Sequence, residues 1–437
     1  MNKKYSVGLV ILASALMFTG CSGTPSQPAT SSAPATTDTT ASDTETSVEP
    51  TSTDTPLPER GDADLVIWAD VNRTAALEAP LAAWASANGV KAVVQTVATD
   101  LQANFVTANQ ANNGPDIVIG AQDWVGKLVQ NNSIVPTQIS ATGISDTAIK
   151  AVSYGGQTYG APYAIETLGL FVNNTLTKNA APATIEDMVA AAQAGGSAGV
   201  AENPLCLQVG QNGDAYHMQP FFTSGGGYIF GTNADGTYNT SDIGVGTADG
   251  IAAATKIGEL GKEGVLKNSI DGTNSLTLFN QGKCAYLVSG PWALADMRTA
   301  GVDFTLTKIP GFKGMGPAVP PLGVQAFFVA SNAKNPTIAQ QFLTDLLKDT
   351  TITSAMNDKD PRVPAQQALA DQLKTSDPVL MQFLDLAQGA AAMPNIPAMD
   401  AVWDPLGKAE AAVVGGADPA TTMAAAADQI ASAVAAG

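Results

Sequence analysis

The alternation of apolar and polar positions divides the chain into three stretches of different character. Residues 7–18 form a short apolar core behind Lys3 and Lys4. Residues 22–62 have no apolar period and no aromatic residue. From residue 63 onward, strand-like and helix-like patterns alternate. The run 64–68, Asp-Leu-Val-Ile-Trp, reads as a strand, and 74–87 carries Leu77, Leu81 and Trp84 on one helical stripe. A second strand is expected over 91–97, a helix over 101–109 and a third strand over 116–119. This βαβ rhythm predicts an α/β sheet with helices on both faces. Farther on, strands are expected over 167–172, after the proline-containing YGAPYAIE, and over 286–288. The latter feeds Ser289-Gly290-Pro291-Trp292. Pro291 presets φ for a helix start, so 293–298 continues as a helix with Trp292 at its mouth. The Ala-rich tail 403–436 predicts helix, broken near Gly415, Gly416 and Pro419.

About 375 residues in the patterned part are more than one core usually serves, so two lobes are expected. Open α/β sheets bind ligands beyond the carboxyl ends of their strands. That directs attention to Asp70, Asn72 and Arg73 after the first strand, and to Gln122, Asp123 and Trp124 after the third.

The beginning of the chain reads as an export signal over 1–20. Its apolar run is shorter than the roughly 20 residues that span a bilayer, and Thr19-Gly20 lead into Cys21. A cysteine after small residues at that point is the pattern of a lipidated cysteine, with Phe18 where Leu is commoner. Residues 21–62 then form a linker of Ser, Thr, Pro, Ala and acids that cannot bury enough apolar surface to order itself. Its coil dimension is about 35 Å. The expected location is extracytoplasmic, held at the membrane by the lipid alone.

The net charge of −18 argues against nucleic acid and against an anionic membrane face as partners. Cys206 and Cys284 are the only cysteines after Cys21. A disulfide between them is expected outside the cytoplasm, with two buried free thiols as the alternative. His217 is the sole histidine, so no metal site is expected, and a Ser-His-Asp or Cys-His arrangement would have this one imidazole to draw on. No phosphate loop is present, and no cofactor is expected. The enzyme chemistry left open is glycoside hydrolysis, which needs only two placed carboxylates from among Asp123, Glu166 and Asp214. The same carboxylates suit a saccharide site, where acceptors for hydroxyls stand beside flat aromatic rings. Of the five tryptophans, helical spacing places Trp84 in the core and strand position makes Trp68 structural. Trp124, Trp292 and Trp403 stand at element ends among polar residues.

Six segments resemble maltose/maltodextrin-binding proteins and occur in that family's order: GPDIVIGAQDWVGKLVQNNSIVP (114–136), YGAPYAIETLGLFVNNTL (159–176), GGGYIFGTNADGTYNTSDIGV (225–245), FNQGKCAYLVSGPWAL (279–294), KNPTIAQQFLTDLL (334–347) and MPNIPAMDAVWDPLGKA (393–409). The resemblance implies a periplasmic-binding-protein type II-like α/β fold. One lobe would comprise 63–166 with 325–375, the other 167–324 with 376–437, and the crossings would fall near 164–169, 320–327 and 371–379. It implies a monomeric, non-catalytic receptor that binds maltose or maltodextrin and passes it to the permease subunits of an ABC importer. Another oligosaccharide such as trehalose, a surface glycosidase, and an adhesin or sensor are the alternatives. By position, Glu166, Asp123, Asp214 and Tyr216 match ligand contacts, Trp292 and Trp403 match two stacking platforms, and Met393 matches their apolar neighbour. Asn72-Arg73 stands in place of an Asp-Lys pair. Gly120 replaces an aromatic ring of the enteric member, Trp124 an arginine, His217 a phenylalanine and Gly407 another arginine.

Overall fold

In the computed structural model, residues 57–388, 390 and 392–436 are described. The expected signal, Cys21 and the linker as far as residue 56 lie outside them.

Strand β1 (Leu65–Ala69) is buried along its whole length. Helix α1 (Val71–Asn88) starts where the Asp70 carboxylate accepts the Arg73 N–H at 2.9 Å and stops at Gly89, whose φ of 65° is the left-handed cap conformation. Then come β2 (Ala92–Thr96), α2 (Leu101–Gln110), β3 (Ile117–Ala121) and, after a 3-10 turn, α3 (Val125–Gln130). β1 pairs in parallel with β2 and β3, and such a sheet needs cover on both faces. Leu65 and Ile67 pack on one side with Leu77, Leu81 and Trp84. Val66 and Trp68 pack on the other with Phe105. Trp84 and Trp68 are thus both core residues. The last residues of the expected linker are fastened to this sheet, with Arg60 2.5 Å from the buried Asp116.

The strand expected over 167–172 is present, shifted to 169–173, but a further strand precedes it. Gly160–Glu166 is itself a strand, β4, and the next, β5, begins only at Gly169. Pro162 hid β4, because a proline argues against a central strand. It is accommodated at an irregularity: β4 pairs antiparallel with β9 (Gly323–Val329), and the register shifts between Gln325↔Ala164 and Ala326↔Pro162.

The remaining elements that position the site are β6 (Asn203–Cys206), α4 (Ala215–Ser224), β7 (Cys284–Ser289), α5 (Leu294–Ala300), β8 (Phe304–Thr307), β10 (Val363–Pro364), α6 (Trp403–Val414) and α7 (Pro419–Ala436). They complete two sheets, one per lobe. The first runs β10-β4-β9-β3-β1-β2 and the second β8-β5-β7-β6. The chain passes from the first sheet to the second between Glu166 and Gly169. It returns between Thr307 and Gly323 and leaves again after Pro364. The second lobe packs Leu170, Val172, Tyr286 and Val288 against Phe221 of α4 and Leu406 and Val413 of α6. Within it, the parallel neighbours β6 and β7 are joined by a disulfide between Cys206 and Cys284. Among the described residues, no helix is long and apolar enough to cross a membrane.

Candidate functional site

Both lobes present a tryptophan by the same local device. In the first lobe, β3 ends in Gly120-Ala121, and a 3-10 turn (Gln122–Trp124) precedes α3. In the second, β7 ends at Ser289, Gly290 follows, and a 3-10 turn (Pro291–Ala293) precedes α5. Each indole folds back over the glycine. A Cβ on Gly120 would lie 2.2 Å from the Trp124 ring, and one on Gly290 would lie 2.1 Å from the Trp292 ring. The aromatic ring missing at Gly120 is therefore replaced in space by Trp124.

Asp123 is carried on the first of these turns and is buried. Its Oδ2 accepts the Trp403 indole N–H at 2.9 Å, which joins the two lobes directly. Its Oδ1 is buried and has no partner. Burial, helped by Asp400 and Glu166, pushes the carboxyl up to about 6 against the opposing hydrogen bond from Trp403.

Glu166 ends β4 at the point where the chain leaves the first sheet. Its Oε1 accepts the Gln325 amide at 2.6 Å, and its Oε2 pairs with Arg362. Arg362 also pairs with Asp360 at 3.0 Å, and its guanidinium lies over the Trp292 ring, 4.9 Å from the centroid. Arg73 turns inward: its Nε donates to the Tyr163 hydroxyl at 3.0 Å, and its guanidinium pairs with Asp70. The acid that Asn72 does not supply thus comes from two residues earlier.

Across the junction, Asp214 caps α4. It accepts the His217 backbone N–H at 3.0 Å, and its Oδ2 lies 2.9 Å from His217 Nδ1. Burial raises the Asp214 carboxyl, but the charge and hydrogen bonds of His217 outweigh it and hold the group below its ordinary value. Tyr216 lies 6.4 Å from Trp292 and 6.5 Å from Trp403 between ring centroids, and His217 meets Trp292 edge-on at 6.0 Å. Burial pushes the Tyr216 hydroxyl well above its usual value. The segment leading into α4 approaches α6 closely because glycine stands on both sides of the contact: a Cβ on Gly213 would lie 1.8 Å from the Gly407 carbonyl oxygen. One turn on, Glu410 is buried without a partner for either oxygen, and burial together with Asp214 raises its pKa well above normal.

The structure therefore brings Arg73, Asp123, Glu166, Asp214, Tyr216, His217, Trp292 and Trp403 to one lobe junction. Asn72 is exposed beside them. Trp124 covers Gly120 next to Asp123, and Met393 is buried where the returning chain bonds the Leu322 carbonyl through its N–H at 3.1 Å. Sequence reasoning missed Tyr163, Gln325, Asp360 and Arg362. Gln325 had a readable signal, a lone amide within the buried apolar strand GVQAFFV. Arg362 had none, since its partner Glu166 is 196 positions away. A separate cavity of about 570 Å³ beneath the 309–320 loop is lined by Lys308, Phe312 and Met315 but by no carboxylate. Among the described residues, no three His, Cys, Asp or Glu side chains are grouped to hold a metal.

Four buried polar atoms at the junction lack partners: Asp123 Oδ1, Tyr216 Oη, His217 Nε2 and Gln325 Oε1. An unpaired buried donor or acceptor costs about 1–3 kcal/mol. Four together, with rings beside them, could be satisfied by a ligand of several hydroxyls and flat apolar faces.

Residues 81–383 match the family described as bacterial extracellular solute-binding protein. The chain is similar to a galactooligosaccharide-binding protein of Bacillus subtilis, 27% identical over 71% of this chain and 74% of the relative. It is 28% identical to the maltodextrin-binding protein MdxE of the same organism, over 67% of this chain and 71% of the relative. A maltooligosaccharide ABC transporter solute-binding lipoprotein of Streptococcus pneumoniae is 27% identical over 68% and 71%.

Proposed function

Because the chain belongs to the bacterial extracellular solute-binding protein family, we propose that it captures maltose or a maltodextrin between its lobes and delivers it to the permease of an ABC importer. It is a binding protein rather than an enzyme, as its relatives are. The observation that carries the sugar reading is the set of four unpartnered polar atoms among Tyr216, Trp292 and Trp403. A saccharide satisfies both halves of that surface, its hydroxyls meeting the polar atoms and its C–H faces the rings. The solute is neutral in this reading, since Arg73 and Arg362 already face Asp70, Glu166 and Asp360. Asn72, Trp124 and Met393 shape the rim and floor.

Cys21 carries the lipid in this reading, the linker holds the lobes clear of the membrane, and the protein works as a monomer. The likeness to the galactooligosaccharide-binding relative favours a second cargo, a short galactoside chain.

Titrating the full chain with maltose, maltotriose, maltopentaose, trehalose and a galactooligosaccharide decides among these. Binding of maltotriose with maltopentaose left uncleaved is the expected result. Binding of the galactoside alone transfers the reading to the second cargo. No response to any sugar overturns both.

A further inference from the structure

Arg362 stands on the surface that the sugar reading assigns to the solute. It immediately precedes β10 at the edge of the first sheet, and its side chain is 7% exposed. From there it reaches across to Trp292 on the second lobe and lays its guanidinium over the ring at 4.9 Å. Tyr216 and His217 already flank that indole.

A flat guanidinium and the flat C–H face of a pyranose use the same face of an indole, the one through its charge and the other through apolar contact. Where Arg362 lies, a sugar cannot stack. Resting on the sugar reading above, we propose that Arg362 is an internal stand-in for the solute, which gains the Trp292 platform only by displacing the guanidinium. Glu166 and Asp360 pair with the guanidinium here, and the exchange requires that they keep it as it moves off the ring. Arg362 is thus an affinity- and specificity-setting residue. A solute must stack on Trp292 better than the cation does, and a ligand with only hydroxyls to offer leaves Arg362 in place.

The test uses the full chain with maltotriose as probe. Arg362→Lys keeps a cation beside Glu166 and Asp360 but removes the planar group. It is expected to bind maltotriose about threefold to tenfold more tightly, measured at a temperature where the variant is folded, since loss of the fork to Asp360 lowers the melting temperature. In a Trp292→Ala background the same change should leave affinity unaltered, since the competition is then gone. The Arg362 Nε–H resonance, assigned by its loss in Arg362→Lys, should show an upfield ring-current shift without sugar and lose it at saturation. Equal or weaker binding by Arg362→Lys overturns the proposal, as does an upfield shift that persists at saturation. Both outcomes presuppose sugar binding by the unaltered chain. Its absence is the separate result that removes the sugar reading itself.

Discussion

At Asp123, burial, charge and the contact between lobes meet in a single side chain. One oxygen holds the Trp403 indole, and the other is buried and unpartnered. With its pKa raised from 3.8 to about 6, the neutral acid's contribution to stability is fully present below about pH 4 and is lost as pH rises through about 6. Asp123→Asn cannot ionise, so its melting temperature should gain on that of the unaltered protein between pH 5 and pH 7. The gain is bounded at about 3 kcal/mol. Parallel melting curves across that range would count against the buried charge. Asp123 and Trp292 could be named from the sequence because they stand at the ends of recognisable elements, whereas Glu166, at the end of a strand the pattern did not reveal, and Tyr216 took their roles from the family resemblance. Arg362 could not be named, since only folding brings β10 beside β4.

At the scale of elements, the strand–glycine–turn–tryptophan junction recurs in both lobes, and the glycine decides where the ring lies. Gly290→Ala would put a methyl into the Trp292 ring. The expected cost is about 1–3 kcal/mol of stability, as for other overpacked sites, together with weaker maltotriose binding as the indole leaves its seat. Calorimetry on the folded variant measures both, and unchanged affinity would show that the ring's seat is immaterial. The elements that sequence periodicity located well are those with uninterrupted patterns. β1 to β3, α1 and α2 fall within a few residues of expectation, and the helices of the tail break at Gly415 and Pro419 as expected. β4 escaped because Pro162 is admitted by a register shift that leaves Tyr163 as the extra residue of β4, a feature visible only once the partner strand is paired with it.

At the scale of the molecule, the site is assembled from two lobes whose chain crosses between Glu166 and Gly169 and again before Gly323. The described domain begins by residue 57 and is tied down by Arg60. The candidate site is built from residue 70 onward, so the anchor proposed at Cys21 can be tested without altering it. Cys21→Ser should move the protein from the membrane fraction to the soluble fraction without altering its affinity for maltotriose. Retention of the variant in the membrane fraction would refute a lipid at that position. The five tryptophans are also divided between two environments. Trp68 and Trp84 are buried in the first lobe's core, whereas Trp124, Trp292 and Trp403 gather at the junction beside Asp123 and Arg362. On the proposed function, the native emission spectrum should serve as a gauge of occupancy, with the core pair as a constant background and the junction trio as the part expected to respond to a solute.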